Sequence, residues 1–125
     1  MRFALAGAVA LLLLGLGLWA IVAPEAFYRS VATYPPYNRH LIHDLGAFQI
    51  GLGTCLALGL IVRDALLAAL GGNSAGAVAH VGSHLADRSA GGHVSDLLLV
   101  GLLALLLLAL TFAQLLRITP RRTSA

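Results

Sequence analysis

The sequence is poor in charge and in sulfur, and it contains no lysine. Only 10% of its 125 residues are charged, and all eight basic residues are arginine. A soluble domain is usually about a quarter charged, so water is not the main solvent of this chain. The single cysteine, Cys55, excludes an intrachain disulfide and any paired-cysteine motif. We expect Cys55 to be a small buried hydrophobe.

Several chemical motifs are also missing. The net charge of +3 comes from arginines scattered among apolar runs, so no basic face is available for nucleic acid. The run Gly71-Gly72-Asn73-Ser74 lacks the lysine of a phosphate-binding loop, and no G-x-S-x-G element occurs. No glutamate stands between His80 and His84, as a zinc protease would require. These absences argue against a hydrolase or nucleotide-binding enzyme, and we favour a chain that is not an enzyme.

Long apolar runs dominate what is present. Hydrophobic residues make up 59% of the sequence, and the mean hydropathy is +0.90. Crossing a bilayer takes roughly 20 apolar residues in a helix. The pattern predicts an all-α fold, a four-transmembrane-helix bundle forming a single integral membrane domain over residues 1–125. The predicted helices cover about residues 3–23, 40–62, 65–86 and 97–116, with an outer loop at 24–39.

The third predicted span is the least apolar, because it carries Gly71-Gly72-Asn73-Ser74 near its middle and two histidines near its end. Such residues are tolerated in membrane helices when neighbouring helices satisfy them. If this segment does not cross, His80 and His84 lie in a loop or re-entrant segment. A cleaved signal peptide is the alternative for the first run. We disfavour it, since the run exceeds the roughly 7–15 residues of a signal core and Pro24 would follow the cut.

The distribution of arginine predicts the orientation. With four spans, five arginines lie on the side of the termini and three on the other, which places both termini in the cytoplasm. Arginine without lysine suits a GC-rich bacterial genome, so we expect a multi-pass protein of the bacterial inner membrane. The arginines on the side of the termini are Arg2, Arg63, Arg117, Arg121 and Arg122. An aromatic belt is predicted at the outer interface from Trp19, Phe27, Tyr28, Tyr34 and Tyr37.

This topology puts all five histidines at the outer end of the bundle. At about 100° per residue, His40 and Asp44 share one stripe of the second helix, and His80 and His84 share one stripe of the third. Each stripe continues inward with small residues, which let membrane helices approach closely. The stripes are completed by Ala47 and Gly51 on the second helix and by Asn73, Gly76, Ala77 and Asp87 on the third. We therefore expect the two stripes to face each other around a polar pocket.

The predicted cluster suits a divalent transition metal. The candidate ligands are His40, Asp44, His80 and His84, with His43 and Asp87 as side chains that orient them. The same pairs could ligate haem, which we rank below a metal ion. A proton relay is a further alternative, because histidine titrates near neutrality. The plainest alternative is that these side chains are interfacial, or pair only to hold the helices together.

The segment Pro36 to Ala47 and the pair His80 and His84 carry a resemblance. The pattern P-Y-N-x-H-L-x-x-D-x-G-A followed by H-x-x-x-H resembles a group of small bacterial four-helix integral membrane proteins of unknown function. The layout is loosely similar to DoxX-like membrane proteins, some of which are associated with quinone-linked redox chemistry. The resemblance implies that His40, Asp44, Gly46, His80 and His84 belong to one site, and it implies no activity. The chain departs from the pattern at His43 and in the glycine-rich middle of the third helix.

Together these features predict a membrane protein with an outward-facing His/Asp site that acts as a metal-binding or redox accessory factor. Two other classes stay open. Polar residues from Asn73 to Asp87 could line a half-channel of a transporter, which would require oligomerisation. The leucine-rich fourth helix could instead be the lipid or partner face of a structural subunit. The expected partners are the lipid bilayer and a second copy or a larger membrane complex, with no nucleic acid.

Overall fold

The computed structural model describes residues 1–91 and 93–118. Within these ranges the chain forms five α-helices, one 3-10 turn at Arg63–Ala65 and no strand, so the all-α prediction is confirmed. The helices are α1 (Arg2–Val22), α2 (Pro24–Ser30), α3 (Arg39–Ile61), α4 (Leu66–Ala86) and α5 (Val94–Ile118). Arg121 and Arg122, which contribute to the orientation prediction, lie outside the described residues.

Three of the helices are long and apolar enough to cross a membrane. These are α1, α3 and α5, with mean hydropathies of 2.5, 1.5 and 2.5 over their most apolar windows. They indicate a multi-pass membrane protein. Helix α4 has 21 residues, the same length as α1, but its glycine, asparagine, serine and histidine residues keep it below that level of hydropathy.

The long helices alternate in direction, so chemically different residues collect at the two ends of the fold. At one end the guanidinium carbon of Arg63 lies 5.8 Å from the ring centroid of Phe3, which joins the turn after α3 to the start of α1. We call this the arginine end; it holds Arg2, Arg63 and Arg117 and none of the five histidines, all of which lie at the opposite end with Arg29, Arg39 and Arg88. The opposite end contains Tyr34, the start of α3, the end of α4 and the start of α5. We call it the histidine end.

Helices α1 and α3 pack closely through glycine. A Cβ atom on Gly46 would lie 2.8 Å from the carbonyl oxygen of Gly17, and one on Gly17 would lie 2.7 Å from the carbonyl oxygen of Gly46. Nearer the arginine end, a Cβ on Gly53 would lie 2.9 Å from the carbonyl oxygen of Ala10. Real Cβ atoms do not come this close to a neighbouring backbone. The separation of α1 and α3 is therefore set by these glycines.

The remaining helices complete two apolar cores. Helix α4 packs against α5, and it meets α3 near the arginine end, where a Cβ on Gly59 would lie 2.9 Å from the Cβ of Ala69. All four long helices contribute to the larger core, whose buried residues are Ala6, Val9, Ala10, Leu13, Leu56, Leu66, Leu70, Leu107 and Leu110. The smaller core lies at the histidine end and consists of Ala20, Phe27 and Ile42.

The segment predicted as an outer loop at 24–39 contains a helix, α2. Pro24 occupies its first turn, where proline is well tolerated because the missing N–H group has no partner in a helix start. Glu25 in the first turn and Arg29 in the last turn form an i, i+4 ion pair and complement the helix dipole. Composition alone did not reveal a helix this short.

Three expectations about burial were wrong. Gly51 and Gly76 have no atom within 4 Å of an added Cβ, so the two small-residue stripes do not meet there, and α3 approaches α4 at Gly59 instead. Cys55 is exposed on α3, because helix rotation turns it away from the core. Phe27 is only 2% exposed and packs edge-on against Trp19, so it belongs to a core and not to an aromatic belt.

Candidate histidine site

His80 and His84 converge on one face of α4 near its carboxyl end. Their spacing of four residues places the two side chains one helical turn apart on the same face. The Nε2 atoms lie 3.1 Å apart, within hydrogen-bond distance, and the ring centroids are 4.8 Å apart. The pairing that the sequence predicts within α4 is therefore present.

Tyr34 contacts the other nitrogen of His84. Its hydroxyl oxygen lies 3.0 Å from Nδ1 of His84, and the two rings meet edge to face with centroids 5.8 Å apart. Tyr34 comes from the segment that connects α2 to α3, so this contact spans 50 residues of sequence. It ties that connection to the end of α4.

The turn after α4 contacts the connection between α2 and α3, residues 31–38, which we call the Tyr34 segment. Gly91 has a φ of +137°, a conformation that other residues rarely adopt. An added Cβ there would lie 3.2 Å from both the Cδ atom of Pro35 and the carbonyl oxygen of Thr33. Glycine is thus required where the turn presses against the residues on either side of Tyr34.

The three side chains form a directional chain of hydrogen bonds. A neutral histidine has one N–H donor and one acceptor nitrogen. If Nδ1–H of His84 donates to Tyr34, then Nε2 of His84 is an acceptor and His80 donates to it. If the tyrosine hydroxyl donates instead, both bonds reverse. In either case the protons are ordered along Tyr34, His84 and His80.

The same geometry fits a shared metal ion. Two histidine nitrogens bound at roughly 2.0–2.1 Å to one ion, at angles between square-planar and tetrahedral, lie roughly 2.9–3.4 Å apart. The observed separation of 3.1 Å falls in that interval. A metal ion would replace the proton between the two Nε2 atoms. Tyr34 would then accept from Nδ1–H of His84, the kind of bond that orients metal-binding histidines.

His40 and Asp44 form a separate and more exposed pair. On the first turns of α3, Nε2 of His40 lies 3.5 Å from Oδ2 of Asp44, and the side chains are 87% and 50% exposed. Among the described residues, no third side chain forms a hydrogen bond or ion pair with His40 or Asp44. Its two side chains share one face of the helix, as their spacing predicts.

The structure does not gather the candidate ligands into one centre. Over residues 1–91 and 93–118, no three or more histidine, cysteine or acidic side chains lie where they could hold one metal ion together. The four-ligand set of His40, Asp44, His80 and His84 therefore stays a prediction. Asp87 is the C-cap residue of α4, and the oxygen that contacts His84 belongs to Tyr34. His43 is half-buried, and its Nε2 atom has no hydrogen-bond partner among the described residues.

Tyr34 is the site residue that the sequence did not single out. The predicted topology placed it at the same end as the histidines, but only as part of an aromatic belt. The available signal was its position just before Pro35 and Pro36, on the connection between α2 and α3 at the end of the fold where α4 also ends. A contact across 50 residues cannot be read from helical periodicity, which relates residues only within one helix.

The polar side chains in the middle of α4 form hydrogen bonds both within the helix and with neighbouring helices. The Nδ2 atom of Asn73 donates to the carbonyl oxygen of Ala69 at 2.9 Å and to that of Leu52 on α3 at 3.4 Å. The hydroxyl of Ser74 donates to the carbonyl oxygen of Leu70 at 2.8 Å, and it lies 2.8 Å from the hydroxyl of Thr111 on α5. Asn73 and Ser74 are both 4% exposed. They therefore link α4 to its neighbours on either side.

Fold and site together define a helical, multi-pass membrane protein with a tyrosine-braced histidine pair at one end. Comparison of the chain with protein-family models, with curated proteins and with solved structures gives no significant match. The resemblance of the segment 36–47 and the histidine pair to small four-helix membrane proteins stays a prediction.

Proposed function

We propose that this chain is a four-span protein of the bacterial inner membrane that binds a divalent transition metal ion through His80 and His84 on the outward face. The observation that carries the proposal is the 3.1 Å separation of the two Nε2 atoms together with the Tyr34 hydroxyl on Nδ1 of His84. Histidines that bind a metal ion need their ligating nitrogens close together, and they usually have a hydrogen bond at the other ring nitrogen that fixes the tautomer and the ring orientation.

Crossing by α4 is supported by its length and by its hydrogen bonds. At 21 residues the helix is long enough for the roughly 20 residues that span a hydrocarbon core. Asn73 and Ser74, its most polar residues at mid-depth, are buried, and each has a polar contact with a neighbouring helix, Asn73 with Leu52 on α3 and Ser74 with Thr111 on α5, so they face no lipid. Polar groups in membrane helices are tolerated on that condition. We accordingly count α4 as the fourth span.

The orientation is supported by arginine. Five arginines belong to the side of the termini and three to the histidine end: Arg2, Arg63 and Arg117, with Arg121 and Arg122 following in the sequence, against Arg29, Arg39 and Arg88. The positive-inside rule applied to that bias places the arginine end in the cytoplasm. Both termini are then cytoplasmic, and the histidine site faces outward. A metal ion from outside the cell membrane could reach the site without crossing the bilayer.

Two histidine ligands leave at least two coordination positions of the metal ion unfilled by this chain. Structural zinc sites are closed by four protein ligands, whereas sites with open positions bind water, substrate or a ligand from elsewhere. We infer an accessory role in which the ion is received and passed on. A second copy of the chain or a larger membrane complex would supply the missing ligands at transfer.

The transporter alternative has weaker support. Asn73 and Ser74 belong to the segment from Asn73 to Asp87 that was expected to line a half-channel, and their polar atoms are engaged by hydrogen bonds within α4 and with α3 and α5. The structural-subunit alternative draws on the exposed leucines of α5, including Leu98, Leu102 and Leu105, which are 64%, 65% and 66% exposed. Such a face suits lipid as well as a partner helix.

Metal titration tests the proposed function. Detergent-purified protein, freed of metal and desalted, should bind about one Zn²⁺ or Cu²⁺ ion per chain. The variant His80→Ala, His84→Ala should lose this binding while its metal-free thermal stability stays near that of the wild type. The matched variant His40→Ala, Asp44→Ala removes the other i, i+4 pair and should keep it. Equal binding by all three proteins, or none by the wild type, contradicts the proposal.

Cysteine labelling tests the crossing by α4. In a Cys55→Ser background, Ser89→Cys should react with a membrane-impermeant maleimide in intact spheroplasts. Asp64→Cys, at the opposite end of α4, should react only after permeabilisation. Labelling of both positions from the same side means that α4 does not cross.

A further inference from the structure

A cavity of about 350 Å³ opens beside the histidine pair at the histidine end. It lies between the Tyr34 segment, the turn that follows α4 and the first turn of α5. Small-molecule sites in proteins begin at about 300 Å³, so this volume admits a small organic molecule. Tyr34 and His84 form one wall, and the residues of the other walls take no part in the proposed metal site.

The other walls are basic or apolar. Arg88 supplies a permanent positive charge, and His93 supplies a second imidazole. Val94 and Leu97, from the first turn of α5, supply an apolar surface. None of the described residues that line the cavity is acidic. Arg88 has no carboxylate within ion-pair distance among the described residues, so its guanidinium is available to a ligand.

The nearest acid is directed elsewhere. The Oδ2 atom of Asp96 accepts a hydrogen bond of 2.7 Å from the backbone N–H of His93, and Oδ1 lies 3.4 Å from the hydroxyl of Ser95. The carboxylate thus reaches back from the first turn of α5 to the backbone of the preceding residue, as in a capping box, and Asp96 is not part of the cavity wall. The charged side chain that faces the cavity is Arg88.

We propose that this cavity binds a small oxyanion, a carboxylate or phosphate group attached to a compact apolar part. A guanidinium offers a planar pair of N–H donors that matches a carboxylate or phosphate, and the Tyr34 hydroxyl and the His93 imidazole add further donors. Val94 and Leu97 contact the apolar part. This anion site goes beyond the proposed metal binding: the two sites share Tyr34 and His84, but Arg88 and His93 take no part in the metal site.

The oxyanion has two possible sources, which share this chemistry. A soluble carboxylate or phosphate would enter from the aqueous side. A phospholipid would place its phosphate beside Arg88 and its chains along the apolar wall. The two sources are distinguished with protein purified in dodecyl maltoside micelles without lipid, to which each probe is added separately. Inorganic phosphate and benzoate are the soluble probes, and phosphatidylglycerol added to the micelles is the lipid probe.

The measurement is the dissociation constant of each probe from metal-free, desalted protein, taken from the rise in unfolding midpoint with probe concentration. Arg88→Gln should weaken binding by about tenfold or more, as expected for loss of a charge-assisted bond. Arg39→Gln removes the same charge from the same end of the fold, away from the cavity, and should change binding less than about twofold. His93→Gln, an independent change in the wall, should weaken binding in the same direction.

The outcomes are distinct. Binding of phosphate or benzoate that depends on Arg88 supports a soluble ligand, and Arg88-dependent binding of phosphatidylglycerol alone supports a lipid. An equal effect of Arg88→Gln and Arg39→Gln reflects general charge and overturns the inference, as does the absence of binding by every probe. Metal binding that persists without anion binding defeats this inference alone. Anion binding by a chain that takes up no metal defeats the proposed function alone.

Discussion

Helices α1 and α3 are held together by backbone contact, whereas α4 is held to its neighbours by polar side chains. Gly17 and Gly46 bring α1 and α3 so close that neither position has room for a Cβ atom. Among the described residues, no side-chain hydrogen bond joins those two helices. Helix α4 instead bonds to α3 through Asn73 and to α5 through Ser74. In the part of the chain that the structure describes, the side-chain hydrogen bonds between long helices therefore all involve α4.

This difference separates scaffold from chemistry. In a bilayer, association of helices depends on close van der Waals packing, because lipid is as apolar as leucine. Glycine gives α1 and α3 that packing, with no side-chain hydrogen bond between the two helices among the described residues. Helix α4 is less apolar because it carries polar residues, and the histidine pair lies near its carboxyl end. Substitutions in the first region should therefore change stability, and substitutions around the second should change ligand binding.

The largest effect on the scaffold is expected from Gly46→Ala. The new Cβ would lie 2.8 Å from the carbonyl oxygen of Gly17 and 3.0 Å from the Cβ of Ala20, so the helices must move apart. Overpacking of this kind costs about 1–3 kcal/mol. The control is Gly51→Ala on the same helix, where nothing lies within 4 Å and alanine should be neutral or favourable.

Both variants are measured by denaturant unfolding in micelles, with metal affinity as the second readout. Gly46→Ala should lower stability and leave metal affinity nearly unchanged once the protein is folded. If Gly46→Ala and Gly51→Ala unfold alike, close glycine packing does not hold α1 to α3.

Removal of one hydroxyl group at the histidine end should weaken metal binding. Tyr34→Phe keeps the ring beside His84 and deletes the oxygen that contacts Nδ1. Loss of a bond that orients a metal-binding histidine typically costs 10–100-fold in affinity, so we expect about tenfold here. Calorimetric titration with Zn²⁺ gives the affinity.

Tyr37→Phe is the matched control, since Tyr37 lies at the same end and its ring contacts Tyr28 at 5.1 Å between centroids. That contact survives loss of the hydroxyl. Equal affinities of Tyr34→Phe and the wild type would show that Tyr34 does not orient His84.

The smallest effect is expected at the bond between α4 and α5. Thr111→Val keeps the shape of the side chain and removes the hydroxyl that lies 2.8 Å from that of Ser74. Ser74 keeps its bond to Leu70, and single interhelical hydrogen bonds in membranes average about 0.6 kcal/mol. Unfolding should show a loss of that size. Thr54→Val, on an exposed face of α3, should change stability less, and a larger loss there than at Thr111 contradicts the assignment.

The positions of the long helices follow from the sequence because apolar runs of about 20 residues have few alternatives in a membrane. The predicted third helix, 65–86, becomes α4 at Leu66–Ala86, and the spacing of His80 and His84 correctly places them together. Both features are local, since each depends only on helical geometry within one segment.

The rotation of each helix about its axis could not be predicted in the same way. In a chain apolar on every side, periodicity shows which residues share a face but not whether that face meets lipid or protein. Gly51 and Gly76 were expected at an interface, and both are open, whereas Gly46 and Gly17 are in contact. Tyr34 was missed for a related reason, because it reaches His84 only through the fold of two connecting segments.

The central claim is that His80 and His84 bind one ion between them, and electron paramagnetic resonance of bound Cu²⁺ tests it most directly. Nitrogen hyperfine splitting counts the imidazoles on the ion, which favours tetragonal nitrogen and oxygen ligands. We predict two histidine nitrogens in the wild type, at most one in His84→Ala, and two in His40→Ala. A wild-type spectrum without histidine nitrogen, or one that His84→Ala leaves unchanged, would contradict the claim.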